Sequence, residues 1–449
     1  MRMFPPSGVA IALLSATVAT VALAGPATPA ALTAPEKQMI ATVDAERERT
    51  LAMLERWVKA NSGSHNLAGV EAVGKMVRAE LEPLGFVVRW IPMTETGRAG
   101  HLVAHHAGKG KRLLLIGHLD TVFELDSPFQ NWVRKGDFAN GPGASDDKGG
   151  DAVIVAALRA MKAAGTLTNA DITVFLTGDE EDSGTPLEVA RRDLVTAGKA
   201  ADVALDFEGL IQLPAPDGRL VDLGSVSRRG VAGWTVTVTA RPGHSSGVFS
   251  PAAGDGAIYE LARVIEAFRT RLTDDKLTYN VGLIGGGQSA VLDAGQIRLS
   301  SAGKTNIIAA TAVARGDLRA LNPEQFDRTV ATMKAIVATP LPGATSRIEF
   351  DDDAYPPMAP TAGNRALLSR LNRVNADLGL ATMAELDPLK RGAGDISFVA
   401  RDVDGLAGLG PASTGDHTKD ETVDIPSLFR QAKRAAILMS RLAGETRSR

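Results

Sequence analysis

Continuous apolar runs that end in polar residues recur along the first half of the chain. LLLIGH at 113–118, ITVFLT at 172–177 and VALD at 203–206 lack the alternation of a half-solvated strand, so they predict strands buried on both faces. Segments with apolar residues at helical spacing lie between them, at 151–165 and 187–199. Buried strands that alternate with helices predict an α/β fold with a mostly parallel sheet.

The chain before these runs predicts two helices and two more strands. Helical patterns cover residues 37–60 and 69–85, and the second ends near a proline and a glycine. FVVRWIPM and HLVAHHAG then predict strands. His105 and His106 lie just before a Gly-Lys-Gly sequence, and we interpret them as turn residues.

The pattern changes near residue 225. VAGWTVTVTA is an alternating, β-branched segment, which is typical of a sheet with one solvated face. Strand and helix segments then follow in the order β-α-β-β-α-β, which predicts a small α+β open-faced sandwich. Helix–strand alternation resumes near residue 354, so we predict that residues 225–353 are a domain inserted between parts 35–224 and 354–449 of the first domain.

The amino terminus predicts export. A basic residue, an apolar run from about Val9 and the sequence Ala22-Leu23-Ala24 predict a signal peptide at 1–24, followed by a flexible leader at 25–34. A retained membrane anchor is the alternative, but the apolar run is short and ends in small residues. We therefore expect a periplasmic or secreted protein with no membrane contact after signal cleavage.

Charge and cysteine content narrow the chemistry. The 449 residues include 49 basic and 52 acidic side chains, so the composition gives no reason to expect a nucleic-acid partner. The sequence has no cysteine, which excludes disulfides, thiolate ligands and a cysteine nucleophile. Any metal ion must therefore be held by His, Asp and Glu.

Acidic and imidazole side chains follow the predicted buried strands. They are His118 and Asp120, the acids at 179–181, and Asp206 and Glu208. The ends of parallel strands meet at one edge of a sheet, where two carboxylates about 5 Å apart repel by roughly 3 kcal/mol. A divalent cation would compensate this repulsion, and His with carboxylate ligands favours zinc, with manganese or cobalt as substitutes. A solvated face is the alternative for 179–181 alone.

Six short motifs add a family resemblance. HLDTV, GPGASDDKGG, GDEEDSG, DFEG, RPGHSSG and GDHTKDE occur in this order. Together they resemble the di-zinc peptidase family of carboxypeptidase G, aminoacylase and succinyl-diaminopimelate desuccinylase, from about Glu46 to the last helix. The resemblance implies a zinc-peptidase catalytic domain with two zinc ions per chain. It also implies that the inserted sandwich is a lid and dimerisation domain, so we expect a homodimer.

The resemblance assigns the metal ligands residue by residue. They are His118, Asp146, Glu181, Glu208 and His417. Asp146 would bridge the two ions, with His118 and Glu208 on one ion and the remaining pair on the other. Asp206 is the alternative to Glu208, but Glu at this place resembles the acylase and carboxypeptidase branches, whereas Asp is typical of aminopeptidases.

Three further side chains would take part in catalysis. By the same resemblance Asp120 would orient His118, and Glu180 would be the general base. His244, in the inserted domain, would polarise the scissile carbonyl, and it reaches the metals only if the domains close or a second subunit supplies it. A surface turn histidine is the alternative for His244.

Substrate contacts complete the expectation. Asn306 and Arg319 match lid positions that hold substrate, and Gly394 lies in the glycine-rich substrate loop. That loop reads Arg-Gly-Ala-Gly-Asp at 391–395, where the family usually has two adjacent glycines and a Ser or Thr before the Asp. We expect hydrolysis of an amide or peptide bond next to a free α-carboxylate, in a small peptide or N-acyl amino acid, similar to glutamate carboxypeptidase. An aminoacylase or dipeptidase with the same metal site, or a binding protein that lost catalysis, is the alternative.

Overall fold

The computed structural model describes residues 31–447. The predicted signal peptide and most of the predicted leader lie outside these residues. Within the described part of the chain, no helix is both long enough and apolar enough to cross a membrane.

Nine α-helices lie within residues 31–447. They are α1 (Ala34–Ala45), α2 (Arg47–Val58), α3 (Leu67–Leu81), α4 (Lys148–Ala163), α5 (Leu187–Ala200), α6 (Ala257–Arg271), α7 (Pro323–Val337), α8 (Ala362–Asp377) and α9 (Ile425–Ala443). The single helix predicted at 37–60 is wrong, because Glu46 leaves helical geometry at φ −94°, ψ 14° and separates α1 from α2. The predicted leader is one residue too long, because Thr33 and Glu36 form a capping box that begins α1 at Ala34.

The strands are mostly short outside two larger sheets. They are β1 (Val87–Pro92), β2 (Gly100–His106), β3 (Arg112–His118), β4 (Val133–Lys135), β5 (Phe138–Asn140), β6 (Asp171–Thr177), β7 (Val203–Asp206), β8 (Gln212–Pro214), β9 (Leu220–Gly224), β10 (Gly230–Ala240), β11 (Gly243–His244), β12 (Thr278–Gly287), β13 (Ser289–Leu292), β14 (Leu299–Ala302), β15 (Ile307–Ile308), β16 (Thr311–Ala320), β17 (Ala344–Phe350), β18 (Ala384–Glu385), β19 (Gly405–Leu406), β20 (Ser413–Thr414) and β21 (Thr422–Asp424).

The first sheet confirms the α/β prediction. Its order is β1-β2-β6-β3-β7-β19, with parallel pairing from β6 through β19 and antiparallel pairing of β1 and β2 at one side. Leu113 and Leu115 face a core with α4 and α9, whereas Leu114 and Ile116 face a second core with Leu194 of α5. Burial on both faces explains why β3 is a continuous apolar run.

Strands β6, β3 and β7 place three chain segments at one edge. In the parallel register His118 lies opposite Thr177, and Ile116 lies opposite Asp206. The segments that leave these strands therefore begin within a few residues of one another. This is the edge at which open α/β sheets carry their sites.

His105 and His106 are strand residues, so their interpretation as turn residues is wrong. Both lie in β2, which pairs with β1 and β6. His105 Nε2 lies 3.1 Å from Asp171 Oδ1, and His106 Nδ1 lies 2.9 Å from the carbonyl oxygen of Ala170. These contacts, together with the strand pairing, keep the two imidazoles in the sheet despite the glycines that follow.

The second sheet has its own core. Its antiparallel order is β12-β16-β10-β17, and α6 and α7 pack on it, which gives the predicted succession β-α-β-β-α-β. Trp234 and Phe268 meet edge to face with ring centres 5.7 Å apart inside this core. The hairpin β13–β14 is an addition that the sequence pattern did not predict. The chain then returns to the first sheet with β19, whereas the boundary at 225–353 and its lid and dimer role stay predictions.

We expect Leu115→Ala to lower the free energy of unfolding by about 2–5 kcal/mol, because it leaves a cavity beneath the strand that ends at His118. Urea denaturation followed by circular dichroism measures the change. Leu220→Ala is the matched control, because that leucine is 62% exposed and its truncation should change stability by less than about 0.5 kcal/mol. Equal effects of the two substitutions would contradict the assigned packing of β3.

Candidate active site

Asp146 lies between two imidazoles. His118 Nε2 is 3.0 Å from Asp146 Oδ1, and His417 Nε2 is 3.0 Å from Asp146 Oδ2. His118 ends β3, whereas Asp146 lies just before α4, and His417 comes from the loop between β20 and β21. Each carboxylate oxygen therefore faces a different histidine, which is the arrangement that a carboxylate bridging two cations needs.

Glu181 joins this group on the side of His417. Its Oε2 lies 3.2 Å from His417 Nε2. One ligand atom each from His118, Asp146 and Glu181 lie within 4.8 Å of one another. His417 has φ 63°, a left-handed conformation that is uncommon outside glycine and that often marks functional positions. Three distant chain segments thus converge on one potential metal site.

Glu208 is held from one side by two arginines. Its Oε2 lies 2.7 Å from Arg228 Nη2 and 3.2 Å from Arg391 Nη2. Its Oε1 is buried without a hydrogen-bond partner among the described residues. A buried carboxylate oxygen without a donor is unfavourable, so this atom fits a metal ligand.

Asp206 is the weaker candidate at this strand end. Its Oδ2 lies 3.1 Å from Arg228 Nη1, and its Oδ1, like Glu208 Oε1, is buried without a hydrogen-bond partner among the described residues. Glu208, unlike Asp206, lines the cavity that contains Asp146 and His417. The structure therefore favours Glu208 over Asp206 as the oxygen donor.

Asp120 connects His118 to the loop after β6 that carries the acids at 179–181, referred to below as the loop of acids. Its carboxylate lies 3.4 Å from His118 Nδ1 and accepts hydrogen bonds from the backbone N–H groups of Glu180 and Glu181 at 3.0 and 3.1 Å. Ser64 Oγ adds a further hydrogen bond of 2.6 Å. Asp120 is fully buried, so it orients its neighbours rather than contacting solvent.

The acids of the site raise the pKa values of its two imidazoles. Hydrogen bonds to Asp146 and Glu181 raise the pKa of His417 to about 11. Burial would lower the pKa of His118, but its contacts with Asp120 and Asp146 raise that pKa well above the usual range. Burial raises the pKa of Glu181 to about 7. Each of these shifts favours the protonated form of the group, which offsets part of the negative charge concentrated here.

Two cavities meet at the loop of acids. A cavity of about 290 Å³ is lined by Asp146, Glu208 and His417, and Glu180 and Glu181 also line it. A second cavity of about 340 Å³ is bordered by the same two glutamates and by residues 231–233 of the second sheet. Burial raises the pKa of Glu180 well above its usual range, and the Glu208 carboxylate adds to the shift. A carboxyl group of this kind at the junction of two cavities suits proton transfer.

The predicted lid residues His244 and Asn306 lie together, whereas Arg319 lies near the other end of β16. β11 pairs with β15, and the Ser245 N–H donates to the carbonyl of Asn306 at 2.9 Å, so His244 and Asn306 are neighbours. Arg319 Nε donates to Asp317 at 2.8 Å. Among the described residues that line the cavity of about 290 Å³, none of His244, Asn306 and Arg319 appears. Their substrate roles stay predictions.

Gly394 lies within the site. A Cβ at this position would collide with the Arg228 guanidinium and with Glu208 Oε1. Residues 390–393, which include Arg391, line the cavity of about 290 Å³. The glycine is therefore required by the close approach of Arg228 and Glu208, not by its backbone conformation, which is extended at φ −179°.

Comparison with known proteins now identifies the family. A family model described as peptidase family M20/M25/M40 matches residues 114–441, which is most of the chain. The chain belongs to this family. It is therefore an enzyme of the metallo-hydrolase class.

Relatives in the M20 family differ in what they are named for. Carboxypeptidase G2 of Pseudomonas sp. (strain RS-16) is 32% identical over 303 residues, a match that covers 64% of this chain and 64% of the relative. Succinyl-diaminopimelate desuccinylase of Acidiphilium cryptum is 30% identical over 359 residues, covering 78% and 87%. A solved M20 peptidase from Bacillus subtilis, described as dinuclear metal binding, aligns with TM-score 0.60 at 14% identity, covering 89% and 99%.

The sequence reasoning missed several side chains of this M20 site. Arg228 and Arg391 hold Glu208, and buried Glu421 accepts hydrogen bonds from the backbone N–H groups of Ser145 and Asp146 at 3.1 and 3.3 Å. Glu421 thereby ties the segment of His417 to the segment of Asp146. Glu421 is the last residue of the motif GDHTKDE, and Arg391 lies in the glycine-rich loop, but neither motif shows which carboxylate or backbone group its side chain contacts.

We expect Asp146→Asn to weaken the affinity for Zn²⁺ by more than about a hundredfold, because the amide has no charge to share between the two metal positions. Competition with a chelator of known affinity measures the change. Asp126→Asn, at an exposed loop position, is the matched control. Wild-type affinity in Asp146→Asn would show that the metal lies elsewhere.

Proposed function

We propose that the protein is a metallo-exopeptidase that cleaves an amide or peptide bond next to a free α-carboxylate, as a glutamate carboxypeptidase does. The observation that carries the proposal is the position of Asp146 between His118 and His417, in a cavity that Glu180 also lines. The name of the relative carboxypeptidase G2 supports the carboxylate preference. An aminoacylase or dipeptidase with the same metal site is the second candidate. The desuccinylase relatives, named for removal of an acyl group, favour the aminoacylase of these two.

The cofactor we propose is a pair of zinc ions, with manganese or cobalt as substitutes. Two imidazoles and three carboxylates without cysteine are a donor set for these metals. Asp146 would bridge, with His118 and Glu208 on one ion, and Glu181 and His417 on the other. When bound, the ions would activate water and polarise the scissile carbonyl. The dinuclear relative from Bacillus subtilis supports the number of ions.

Glu180 is the proposed general base. Its carboxyl group borders both cavities, and the backbone of its loop is held by Asp120. Its carboxylate would take a proton from the attacking water and pass that proton to the leaving amine. Burial raises the pKa of this carboxyl group and the Glu208 carboxylate adds to the shift, which makes Glu180 a stronger base.

The remaining proposals concern the second sheet and the amino terminus. We propose that His244 and Asn306 reach the substrate when the two sheets close or when a second copy of the chain supplies them. A homodimer through residues 225–353 would serve the latter route. We also propose export to the periplasm or beyond, guided by residues 1–24.

We expect Glu180→Gln to reduce turnover by about 10²–10⁴-fold while bound zinc is unchanged, because the amide cannot accept the proton. The assay is hydrolysis of N-acyl amino acids and dipeptides with zinc present, and the metal is measured by elemental analysis. Glu188→Gln, exposed in α5, is the matched control. Loss of zinc in Glu180→Gln would make Glu180 a ligand instead.

The same screen decides between the two candidate functions. A carboxypeptidase cleaves peptides with a free C-terminus, an aminoacylase prefers N-acyl amino acids, and a dipeptidase requires both free ends. Activity that survives exhaustive chelation would contradict the metal-dependent proposal altogether.

We expect amidation of the substrate α-carboxylate to lower kcat/KM at least about a hundredfold, because a guanidinium left without its carboxylate costs about 2–5 kcal/mol. We assign this guanidinium to Arg319, so Arg319→Ala should respond much less to amidation than the wild type. Arg328→Ala, an exposed arginine paired with Asp274, is the control that should keep the full discrimination. Equal cleavage of acid and amide by the wild type would contradict the carboxypeptidase proposal.

A further inference from the structure

Arg191 is a buried hub behind the loop of acids. Its guanidinium lies 2.6 Å from Asp179 Oδ1 and 2.8 Å from Asp395 Oδ1, and it is 1% exposed. Asp179 begins the loop that carries Glu180, and Asp395 ends the glycine-rich loop. Arg191 therefore joins the loop of the proposed base Glu180 to the glycine-rich loop, which lines the cavity of about 290 Å³.

Tyr355 extends this hub to the backbone of Glu180. Its hydroxyl donates to the carbonyl oxygen of Glu180 at 3.1 Å. The hydroxyl oxygen of Tyr355 itself accepts from Arg191 Nη2 at 3.2 Å and lies 2.6 Å from Ser183 Oγ. One donated and two accepted hydrogen bonds use the full capacity of a tyrosine hydroxyl.

Tyr355 also lies where the chain passes between the two sheets. It follows β17 and forms a two-way backbone bridge with Val231, with both hydrogen bonds at 2.9 Å. Its ring packs on Phe398 with centres 4.7 Å apart. The position of the hydroxyl is thus fixed by the backbone pairing with Val231 and by the packing of the ring on Phe398, which belongs to the second core of the first sheet.

The peptide that carries Glu180 is held from two sides. Asp120 accepts from the N–H groups of Glu180 and Glu181, and Tyr355 donates to the carbonyl between them. With only one of these contacts the peptide unit is able to rotate about its remaining anchor. The two contacts together fix the direction in which the Glu180 side chain leaves the backbone.

We propose that Tyr355 is a positioning residue for Glu180, and that its hydroxyl, held by Arg191 and Ser183, fixes the backbone from which the base projects. The inference rests on the proposed function of Glu180 as the base. Tyr355 lines the second cavity, of about 340 Å³, but not the cavity of about 290 Å³ that contains Asp146, Glu208 and His417, so it acts through the Glu180 backbone and not on the proposed metal ligands.

The test is Tyr355→Phe, which keeps the ring packing and removes only the hydroxyl. We expect kcat to fall about tenfold, with KM changed by less than about twofold and bound zinc unchanged. Tyr279→Phe is the matched control, because that hydroxyl also donates to a backbone carbonyl, that of Phe268 at 3.0 Å in the second core. Tyr279→Phe should leave kcat unchanged, and it should show the same small loss of thermal stability as Tyr355→Phe.

Hydrogen exchange measured by mass spectrometry gives a second readout that needs no activity. The backbone N–H groups of Glu180, Glu181 and Gly184 are all hydrogen-bonded to carboxylates, so a peptide covering 179–184 should be protected. We expect Tyr355→Phe to raise exchange in this peptide severalfold, and Tyr279→Phe to leave it unchanged.

The outcomes distinguish a failure of the proposed function from a failure of the positioning inference. If the wild type hydrolyses no amide but exchange at 179–184 rises in Tyr355→Phe, the proposed function fails and the positioning contact stands. If the wild type is active and Tyr355→Phe matches Tyr279→Phe in both kcat and exchange, the positioning inference is wrong. Loss of zinc together with kcat in Tyr355→Phe would also overturn it, because the hydroxyl would then support the ligands and not the base.

Discussion

Repulsion among acids at one edge of the first sheet is the constraint on which the rest of the site depends. The parallel pairing of β6, β3 and β7 brings the segments after these strands together, and each of them carries carboxylates. Two imidazoles face Asp146 and two guanidiniums face Glu208. These cations offset only part of the charge, because Glu208 Oε1 stays buried without a partner. A further cation at this oxygen would compensate the remaining negative charge.

The first sheet and the grouping of the acids were predictable because their signals are local. A strand buried on both faces must be apolar at every position, and Leu113 to Ile116 do face two different cores in alternation. Once the strands are parallel, their ends meet, so residues far apart in sequence become neighbours without any further information. The α+β sandwich was predictable for the same reason, since alternation and helical spacing are visible within ten residues.

The parts that could not be predicted depend on contacts between distant segments. Arg228 reaches Glu208 and the backbone carbonyls of Gly392 and Ala393, which no local pattern encodes. His105 and His106 stay in β2 because of pairing with β1 and β6, although glycines follow them. The break at Glu46 between α1 and α2 interrupts an otherwise helical composition. In each case tertiary structure decided between local alternatives.

The glycine-rich loop at 391–395 is fixed to the candidate site by arginine side chains. Arg228 binds the loop carbonyls at its start and Arg191 binds Asp395 at its end, so the loop is fixed between two buried arginines. Gly394 allows Arg228 and Glu208 to approach from the same side. Arg391, at the start of the loop, directs a third guanidinium toward Glu208 Oε2. Because Arg228 and Arg391 both bind Oε2, Oε1 is the oxygen of Glu208 left without a hydrogen-bond partner among the described residues, so the loop fixes the orientation of a proposed ligand.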